Sequence, residues 1–170
     1  MEYANAVWSP RLIKDIRAIE NVQRRATKLI PDFRELSYEE RLRELSLPTL
    51  AYRRIRGDII ETFKILCGHY DKEVCNIFTL YQDVVKWPGR CRGHSKKLYK
   101  QKPRLEVRKH FFSYRVCDTW NNLPESVINS ESIKQFETRL DNFWKNQDIK
   151  YDFTKCIQMM KNTNELPLSR

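Results

Sequence analysis

The stretch from Ser9 to Ile30 places apolar residues three and four positions apart, which is the spacing of one face of an α-helix. Ser9 is suited to accept hydrogen bonds from the first helical N–H groups, and Pro10 suits the first helical position. Pro31 ends the pattern because it disfavours helical geometry at the preceding residue. The apolar face consists of Leu12, Ile16, Ile19, Val22, Ala26 and Leu29. Such a face needs a partner surface, so the chain is predicted to build its core from packed helices.

Two more helices are predicted to follow at short intervals. Ser37 and Glu40 form a capping box, in which each side chain accepts a hydrogen bond from the other residue's backbone. Thr49 is predicted to open a longer helix. The inward faces are Leu42 and Leu45 in the first helix, and Tyr52, Ile55, Ile59, Phe63 and Leu66 in the second. Gly57 in mid-helix costs about 1 kcal/mol relative to alanine, which indicates that another element packs closely on its backbone.

Helical spacing returns in the second half of the chain. Phe112, Val116 and Trp120 predict a helix over residues 108–122. Ser132 and Gln135 make another capping box, which opens the last helix. The apolar face of that helix is Ile133, Phe136, Leu140, Phe143 and Trp144. Between the early and late helices, Asp71 is a candidate cap for a short helix that reaches Phe78, and Leu98 is a candidate for a short edge strand.

These elements predict a mainly α-helical, bundle-like domain with a short basic loop or β-hairpin insertion. Four parts are expected: an N-terminal helical segment (1–69), a basic linker (70–103), a C-terminal helical segment that packs on the first (104–145), and a weakly ordered tail (146–170). In that tail, Ile157, Met160 and Leu166 are the residues that would dock.

Positive charge is the second strong feature of the sequence. The 170 residues carry 32 basic against 22 acidic side chains, a net charge of +10. Residues 81–118 hold eleven basic against three acidic side chains, interleaved with aromatic residues. This combination is typical of surfaces that bind a phosphate backbone and stack on bases. The alternative is a lysine-rich hairpin whose charges prevent pairing at a sheet edge, which would explain the same residues without a ligand. A second basic row lies beside the apolar face of the first helix, at Arg11, Lys14, Arg25 and Lys28. Nucleic acid is therefore the first expected partner, and an acidic membrane surface the second.

Targeting and redox signals are weak. No apolar run approaches the roughly 20 residues that span a bilayer, and a basic segment followed by an apolar signal core is not found. We therefore expect an intracellular protein, nuclear or cytoplasmic, that does not insert into a membrane. Five irregularly spaced cysteines fit reduced thiols better than a disulfide framework.

Catalytic and cofactor motifs are not recognisable in the sequence. Neither a GxxxxGK[ST] loop nor GxGxxG occurs, and no cysteine or histidine lies in a nucleophile turn. Metal-ligand residue types occur at Cys67, His69, Cys75, Cys91 and His94. Their spacing matches no standard zinc pattern, and Cys67 also fits the apolar face of its helix, so metal binding is left open. We expect no cofactor and no enzyme activity in this chain.

Several long segments resemble the C-terminal region of reverse transcriptases from jockey-like non-LTR retrotransposons. They are EYANAVWSP (2–10), IENVQRRATKLI (19–30), SYEERLRELSLPTLAYRRIRGD (37–58), RGHSKKLYK (92–100) and RLEVRKHFFSYRVCDTWNNLPESV (104–127). The resemblance implies a thumb and C-terminal extension, which lie after the polymerase palm in an RNA-directed DNA polymerase. The aromatic-Ala-Asp-Asp motif of the palm is missing, because Tyr70-Asp71 and Tyr151-Asp152 lack the second aspartate. The resemblance therefore implies a detached piece of such a polymerase that lacks the ligands for two-metal nucleotidyl transfer. Its expected partner is the missing palm domain.

Taken together, these observations predict a non-catalytic helical module that binds RNA or a primer-template duplex. Its expected phosphate contacts are Arg24, Arg25, Arg53, Arg54, Arg56, Arg92, Lys96, Lys97, Arg104, Arg108 and Lys109, with Trp87 or Tyr99 for base stacking. The alternative is a structural or protein-interaction module without nucleic-acid activity. A third possibility, residual polymerase activity, would require metal-dependent nucleotide incorporation by the purified chain.

Overall fold

The computed structural model describes residues 4–10, 12–85, 93–155 and 157. Over these residues the chain is mainly helical, as predicted, and it forms no β-strand. The helices are α1 (Ile13–Lys28), α2 (Tyr38–Glu44), α3 (Leu50–Leu66), α4 (Lys72–Cys75), α5 (Tyr81–Val84), α6 (Phe112–Asn121), α7 (Glu125–Ile128) and α8 (Ile133–Phe143). Short 3-10 helices lie at Pro31–Phe33, Glu106–His110 and Asp148–Lys150.

Helix α3 is the central element of the fold, since it packs against α1, α6 and α8. The ring of Phe63 on α3 stacks on that of Phe136 on α8, with centroids 4.2 Å apart. Trp120 of α6 is fully buried, with its ring 6.0 Å from that of Phe136. The core is completed by Tyr52, Ile59, Ile60, Leu98, Val116, Cys117, Leu123, Val127, Ile128, Leu140, Trp144 and Ile149. Because apolar burial contributes about 25 cal/mol per Å², these large side chains supply the main driving force for folding.

The first helix differs from its prediction in where it begins. Ser9 and Pro10 precede the helix, and Leu12 occupies the N-cap position without a side-chain hydrogen bond. The segment before α1 is held across α3 instead: the Asn5 amide donates to the Arg54 carbonyl (2.7 Å) and to the Asp58 carboxylate (2.8 Å). This tether accounts for the delayed start of the helix.

Only part of the predicted apolar face of α1 is buried, since Ile16 and Ile19 are half-buried and the rest of that face is exposed. Leu29 is 78% exposed and Val22 48% exposed, whereas Glu20 is only 1% exposed and Thr27 is also buried. The buried side of α1 is therefore rotated away from the row of Leu, Val and Ala residues that the spacing predicted. Hydrogen bonds made by Glu20 explain the rotation.

Glu20 joins α1 to both following helices. Its carboxylate accepts a hydrogen bond from the Tyr38 hydroxyl (2.7 Å) and bonds from the Leu50 backbone N–H (3.1 and 3.2 Å). Leu50 is the first residue of α3, so Glu20 places a negative charge at the positive end of that helix dipole. Burial, followed by the hydrogen bond to Glu20, raises the pKa of Tyr38 and keeps its hydroxyl protonated as a donor.

A second buried carboxylate joins α3 to α6. Arg115 donates from Nε to Asp58 Oδ2 and from Nη2 to Asp58 Oδ1, both at 2.9 Å. The same Nη2 also reaches the Asn5 carbonyl at 2.7 Å. Burial raises the pKa of Asp58 even though Arg115, Arg54 and Asn5 oppose that shift. Three separate parts of the chain thus meet at this carboxylate.

The described residues that follow α8 pack against the rest of the chain rather than being loosely held. Ile149 is 3% exposed and belongs to the core. The Thr49 backbone N–H donates to the Lys150 carbonyl (2.8 Å), and its hydroxyl donates to the Ile149 carbonyl (2.6 Å). The predicted weakly ordered tail therefore does not begin at residue 146. Residues 156 and 158–170, which include Met160 and Leu166, lie outside the described part of the chain.

Local capping signals were predicted well. Ser37 and Glu40 form the reciprocal capping box of α2, which confirms that prediction. The Ser132 hydroxyl accepts from the Gln135 N–H at 3.2 Å, as predicted. The second half of that box differs, since the Gln135 side chain accepts from the N–H of Glu131 rather than from Ser132. The Thr49 cap of α3 is present as well.

Two helix boundaries and one packing prediction differ from the structure. Helix α6 begins at Phe112, and the residues before it form the 3-10 helix Glu106–His110. Helix α4 ends at Cys75 rather than Phe78, and Asp71 at its N-cap makes no side-chain capping bond. The prediction of close packing on Gly57 is also wrong. A Cβ there would meet only the Asn5 side chain, at 3.9 Å, which is ordinary van der Waals contact.

We predict that Gly57→Ala raises the free energy of unfolding by about 1 kcal/mol, because alanine restricts the unfolded chain and has room in the helix. The matched control is Gly68→Ala. Gly68 has φ of +73°, so the same added methyl group should lower stability by about 1 kcal/mol. Urea denaturation measures both, and two shifts of the same sign would contradict this expectation.

We predict that Arg115→Met lowers the free energy of unfolding by about 3 kcal/mol, because it leaves the Asp58 carboxylate buried without its cation. Adding Asp58→Asn to this variant should recover part of the loss. Arg56→Met is the control, since Arg56 makes a similar bidentate pair with Asp141 at the surface and should cost less than about 1 kcal/mol. Equal losses in Arg115→Met and Arg56→Met would contradict the prediction.

Candidate nucleic-acid interface

The exposed side of α1 carries a row of cations. The residues at positions 14, 17, 24, 25 and 28 share one side of the helix because their spacing follows 3.6 residues per turn. The row consists of Lys14, Arg17, Arg24, Arg25 and Lys28, all exposed. From the first to the last of them the helix rises about 21 Å. We call these five residues the α1 basic row.

None of the ion pairs between described residues involves the α1 basic row. The two acidic residues of α1 lie elsewhere: Glu20 is buried against α3, and Asp15 stands on the other side of the helix. The row therefore presents several positive charges to solvent, and no carboxylate in the described part of the chain forms an ion pair with them. Such a surface attracts polyanions, with an affinity that falls as salt increases.

Arg24 is a member of the row that contacts aromatic rings. Its guanidinium lies 5.0 Å from the centroid of the Tyr38 ring and 5.8 Å from that of Phe153. Contact with aromatic faces restricts the side chain while its N–H groups remain able to donate. An arginine held in this way loses less conformational entropy on binding a phosphate than a free surface arginine does.

The three arginines at the start of α3 lie in different surroundings. Arg54 is only 4% exposed. Arg56 donates to both oxygens of Asp141, at 2.6 and 2.9 Å, and this pairing raises the pKa of Arg56. Arg53 is partly exposed. The structure thus does not bring these three predicted contacts together on one open surface, and we omit Arg54 and Arg56 from the proposed interface.

Residues 93–100, which we call the strap, are tied to α6. Leu98 is buried, and the Asn121 side chain accepts from its N–H (2.8 Å) and donates to its carbonyl (2.9 Å). Leu98 also forms one antiparallel bridge with Leu80. The edge strand predicted here is therefore reduced to a single bridge in a docked segment.

His94 and Trp120 form the other attachment of the strap. His94 is buried, and its Nε2 lies 3.0 Å from the Trp120 carbonyl, which can only accept, so Nε2 carries the proton. The Trp120 ring in turn donates to the Lys96 carbonyl at 2.8 Å. Glu125 accepts hydrogen bonds from the backbone N–H and hydroxyl of Ser95. These bonds place the backbone of the strap against the core.

The predicted contacts on the strap are partly engaged within the protein. Lys96 lies over the Phe63 ring, 5.8 Å from its centroid, and Lys97 is partly buried against Gly93. Tyr99 is at the surface with its ring 6.4 Å from that of Tyr81. Trp87 and Arg92 lie outside the described residues.

The last group of predicted contacts lies beside α6. Arg104 and Arg108 are exposed. Lys109 forms an ion pair with Glu106 at 2.6 Å, which reduces the net charge available there. Arg17 was missed in the sequence analysis, although its position relative to Lys14 and Lys28 places it on the same side of α1.

The candidate metal ligands do not form a site in the described part of the chain. No group of three or more histidine, cysteine, aspartate or glutamate side chains there is arranged to hold an ion. Cys67 is exposed at the end of α3, and the Cys75 thiol contacts the Tyr70 carbonyl at 3.3 Å. Cys91 lies outside the described residues. Burial raises the pKa of the Cys117 thiol to about 11, which makes it a poor nucleophile.

No protein-family model, curated protein or solved structure matches this chain. Within the described residues, none of the helices has the length and apolar character that crossing a bilayer requires.

We predict that stability falls as the pH is lowered from 7 towards 5, in part because of His94. Burial, with the charge of Lys97, holds the pKa of His94 below its usual value of 6.5, although the Trp120 carbonyl and Glu125 oppose the shift. The unfolded chain therefore binds a proton at a higher pH than the folded chain does. The loss begins near pH 6.5, continues down to the folded pKa, and is at most about 1.4 kcal/mol per pH unit.

His94→Gln should flatten this dependence, whereas His69→Gln, at an exposed histidine, should leave it unchanged. Urea denaturation at pH 5–8 provides the comparison. Parallel pH profiles for the wild type and His94→Gln would contradict the assignment.

Proposed function

We propose that this chain is a non-catalytic module that binds nucleic acid through the α1 basic row. The observation that carries the proposal is the row itself: five exposed cations on one side of a 16-residue helix, none of them in an ion pair with a described residue. Each strand of a duplex carries one phosphate for every 3.4 Å or so of the duplex axis, so a row of about 21 Å is long enough to meet several phosphates.

The resemblance to retrotransposon reverse transcriptases supports the same proposal. A thumb and C-terminal extension would hold RNA or primer-template beside the palm, and that role requires phosphate contacts without catalytic metal ligands. Within the proposal, Arg24, Arg25 and the rest of the α1 basic row make the main contacts, with Arg104 and Arg108 as exposed secondary candidates. Polymerase activity would belong to the longer protein that carries the palm.

A second candidate function is docking on a protein. Val22 and Leu29 are exposed on α1 beside the α1 basic row, and Leu12 is exposed near the start of the helix. Exposed apolar side chains next to a charged rim are typical of protein interfaces. This surface would suit the missing palm of the parent polymerase or another protein.

Salt dependence separates the two candidates. We predict that a fluorescent 20-nucleotide RNA and a 20-base-pair duplex bind the wild-type chain, with log affinity falling linearly as log salt rises. Five phosphate contacts correspond to a slope of about −4.5 on duplex and about −3.5 on a single strand. The double variant Arg25→Glu with Lys28→Glu should weaken binding at least tenfold and make the slope shallower, because it removes two contacts and adds repulsion.

The matched control is Lys72→Glu with Lys134→Glu, which changes the net charge equally at two exposed lysines on α4 and α8. This control should lose much less affinity. Equal losses in both double variants would show a response to net charge alone and would contradict the proposed interface. A flat salt response with no effect of the α1 variant would favour the protein-docking function.

A further inference from the structure

Helix α1 is exposed around most of its circumference. Eleven of its sixteen residues are exposed, and the other five lie within about 100° of arc when successive residues are placed 100° apart. Those five residues are Ile16, Ile19, Glu20, Gln23 and Thr27. The helix is thus attached to the rest of the described chain along one narrow strip, and it is open to solvent on its other sides.

The dimensions of such a helix fit the major groove of B-form DNA. An α-helix with its side chains is about 10–12 Å across, and the groove is about 12 Å wide and 8.5 Å deep. The major groove of duplex RNA is so deep and narrow that side chains cannot read the bases in it. RNA could therefore meet α1 through its phosphates, whereas duplex DNA could admit the helix itself.

An asparagine lies at the centre of the α1 basic row. The five cations stand at positions −7, −4, +3, +4 and +7 relative to Asn21, so they surround its side chain on the exposed side of the helix. Asn21 is exposed, and its amide makes no hydrogen bond with another described residue. Asparagine is a poor helix former, and at mid-helix it caps nothing, so the helix itself gains little from this residue. The row thus carries one neutral hydrogen-bonding group among cations suited to phosphates.

We propose that α1 enters the major groove of duplex DNA and that the Asn21 amide reads an adenine there. An asparagine amide can accept from the adenine amino group and donate to N7 at the same time, while the cations around it bind phosphates. Ala18, one turn before Asn21, is small and exposed, so it can contact the methyl group of a neighbouring thymine. This inference rests on the proposed function, and it adds the kind of nucleic acid and the base that is read.

Selection on the full chain from a library of random 20-base-pair DNA duplexes provides the probe. We expect the selected duplexes to share a short motif that contains an adenine. The RNA duplex of the same sequence should bind at least tenfold more weakly than the DNA duplex at the same salt concentration, because its groove does not permit the base contact.

Removal of the adenine N7 atom tests the base contact directly. When 7-deazaadenine replaces each adenine of the motif in turn, one position should weaken binding of the wild-type chain about tenfold, because a C–H group replaces the acceptor. Asn21→Ala should bind the unmodified duplex about tenfold more weakly and should show no response to 7-deazaadenine at that position. Asn142→Ala, at an exposed asparagine of α8, is the matched control and should behave as the wild type.

The outcomes separate this inference from the proposed function. Selection without a shared motif, equal affinity for the DNA and RNA duplexes, or the same response to 7-deazaadenine in the wild type and Asn21→Ala would overturn the inference. In each of these cases the chain still binds nucleic acid, so the proposed function would stand. A chain that binds none of the duplexes or single strands would overturn both.

Discussion

Two buried carboxylates, Glu20 of α1 and Asp58 of α3, lie where α3 meets its neighbours. A carboxylate withdrawn from water needs hydrogen-bond donors for its oxygens. Glu20 finds them in the Tyr38 hydroxyl and the first N–H of α3, while Asp58 finds them in Arg115 and Asn5. These bonds fix the rotation of α1, the position of α2, and the approach of α6 to α3. Apolar burial supplies the driving force, but it is not directional, so the buried polar contacts select this arrangement among other helical packings.

The surface follows from that arrangement. With Glu20 turned inward, α1 leaves its cations and part of its apolar face in solvent, so one helix offers both a polyanion surface and a protein surface. Other positive charges have structural roles: Arg115 lies on Asp58, Arg56 on Asp141, and Lys109 on Glu106. The net charge of the chain therefore overstates the positive charge that a ligand can contact. Which cations belong to the candidate interface depends on where each one lies in the folded chain.

Features specified by nearby residues could be predicted from the sequence. The Ser37 cap depends on a residue three positions away, and the apolar face of α8 needs only regular spacing. The rotation of α1 could not be predicted, because it depends on a bond between Glu20 and an N–H thirty residues later. For the same reason the sequence indicated only a short basic loop or β-hairpin at the strap, since the docking of the strap relies on Asn121 and Trp120. For the candidate site, the basic character of α1 was visible in the spacing, whereas the pairing of Arg56 and the burial of Arg54 required the folded structure.

The account rests on one claim, that the α1 basic row is the surface that meets nucleic acid. Amide NMR of the wild-type chain with a short RNA tests it directly, because every backbone position reports separately. The account predicts that the largest shifts fall on residues 14–28, clustered at the α1 basic row, while the amides of α8 remain unchanged. Shifts centred on α8, or spread without preference over the exposed lysines, would contradict it.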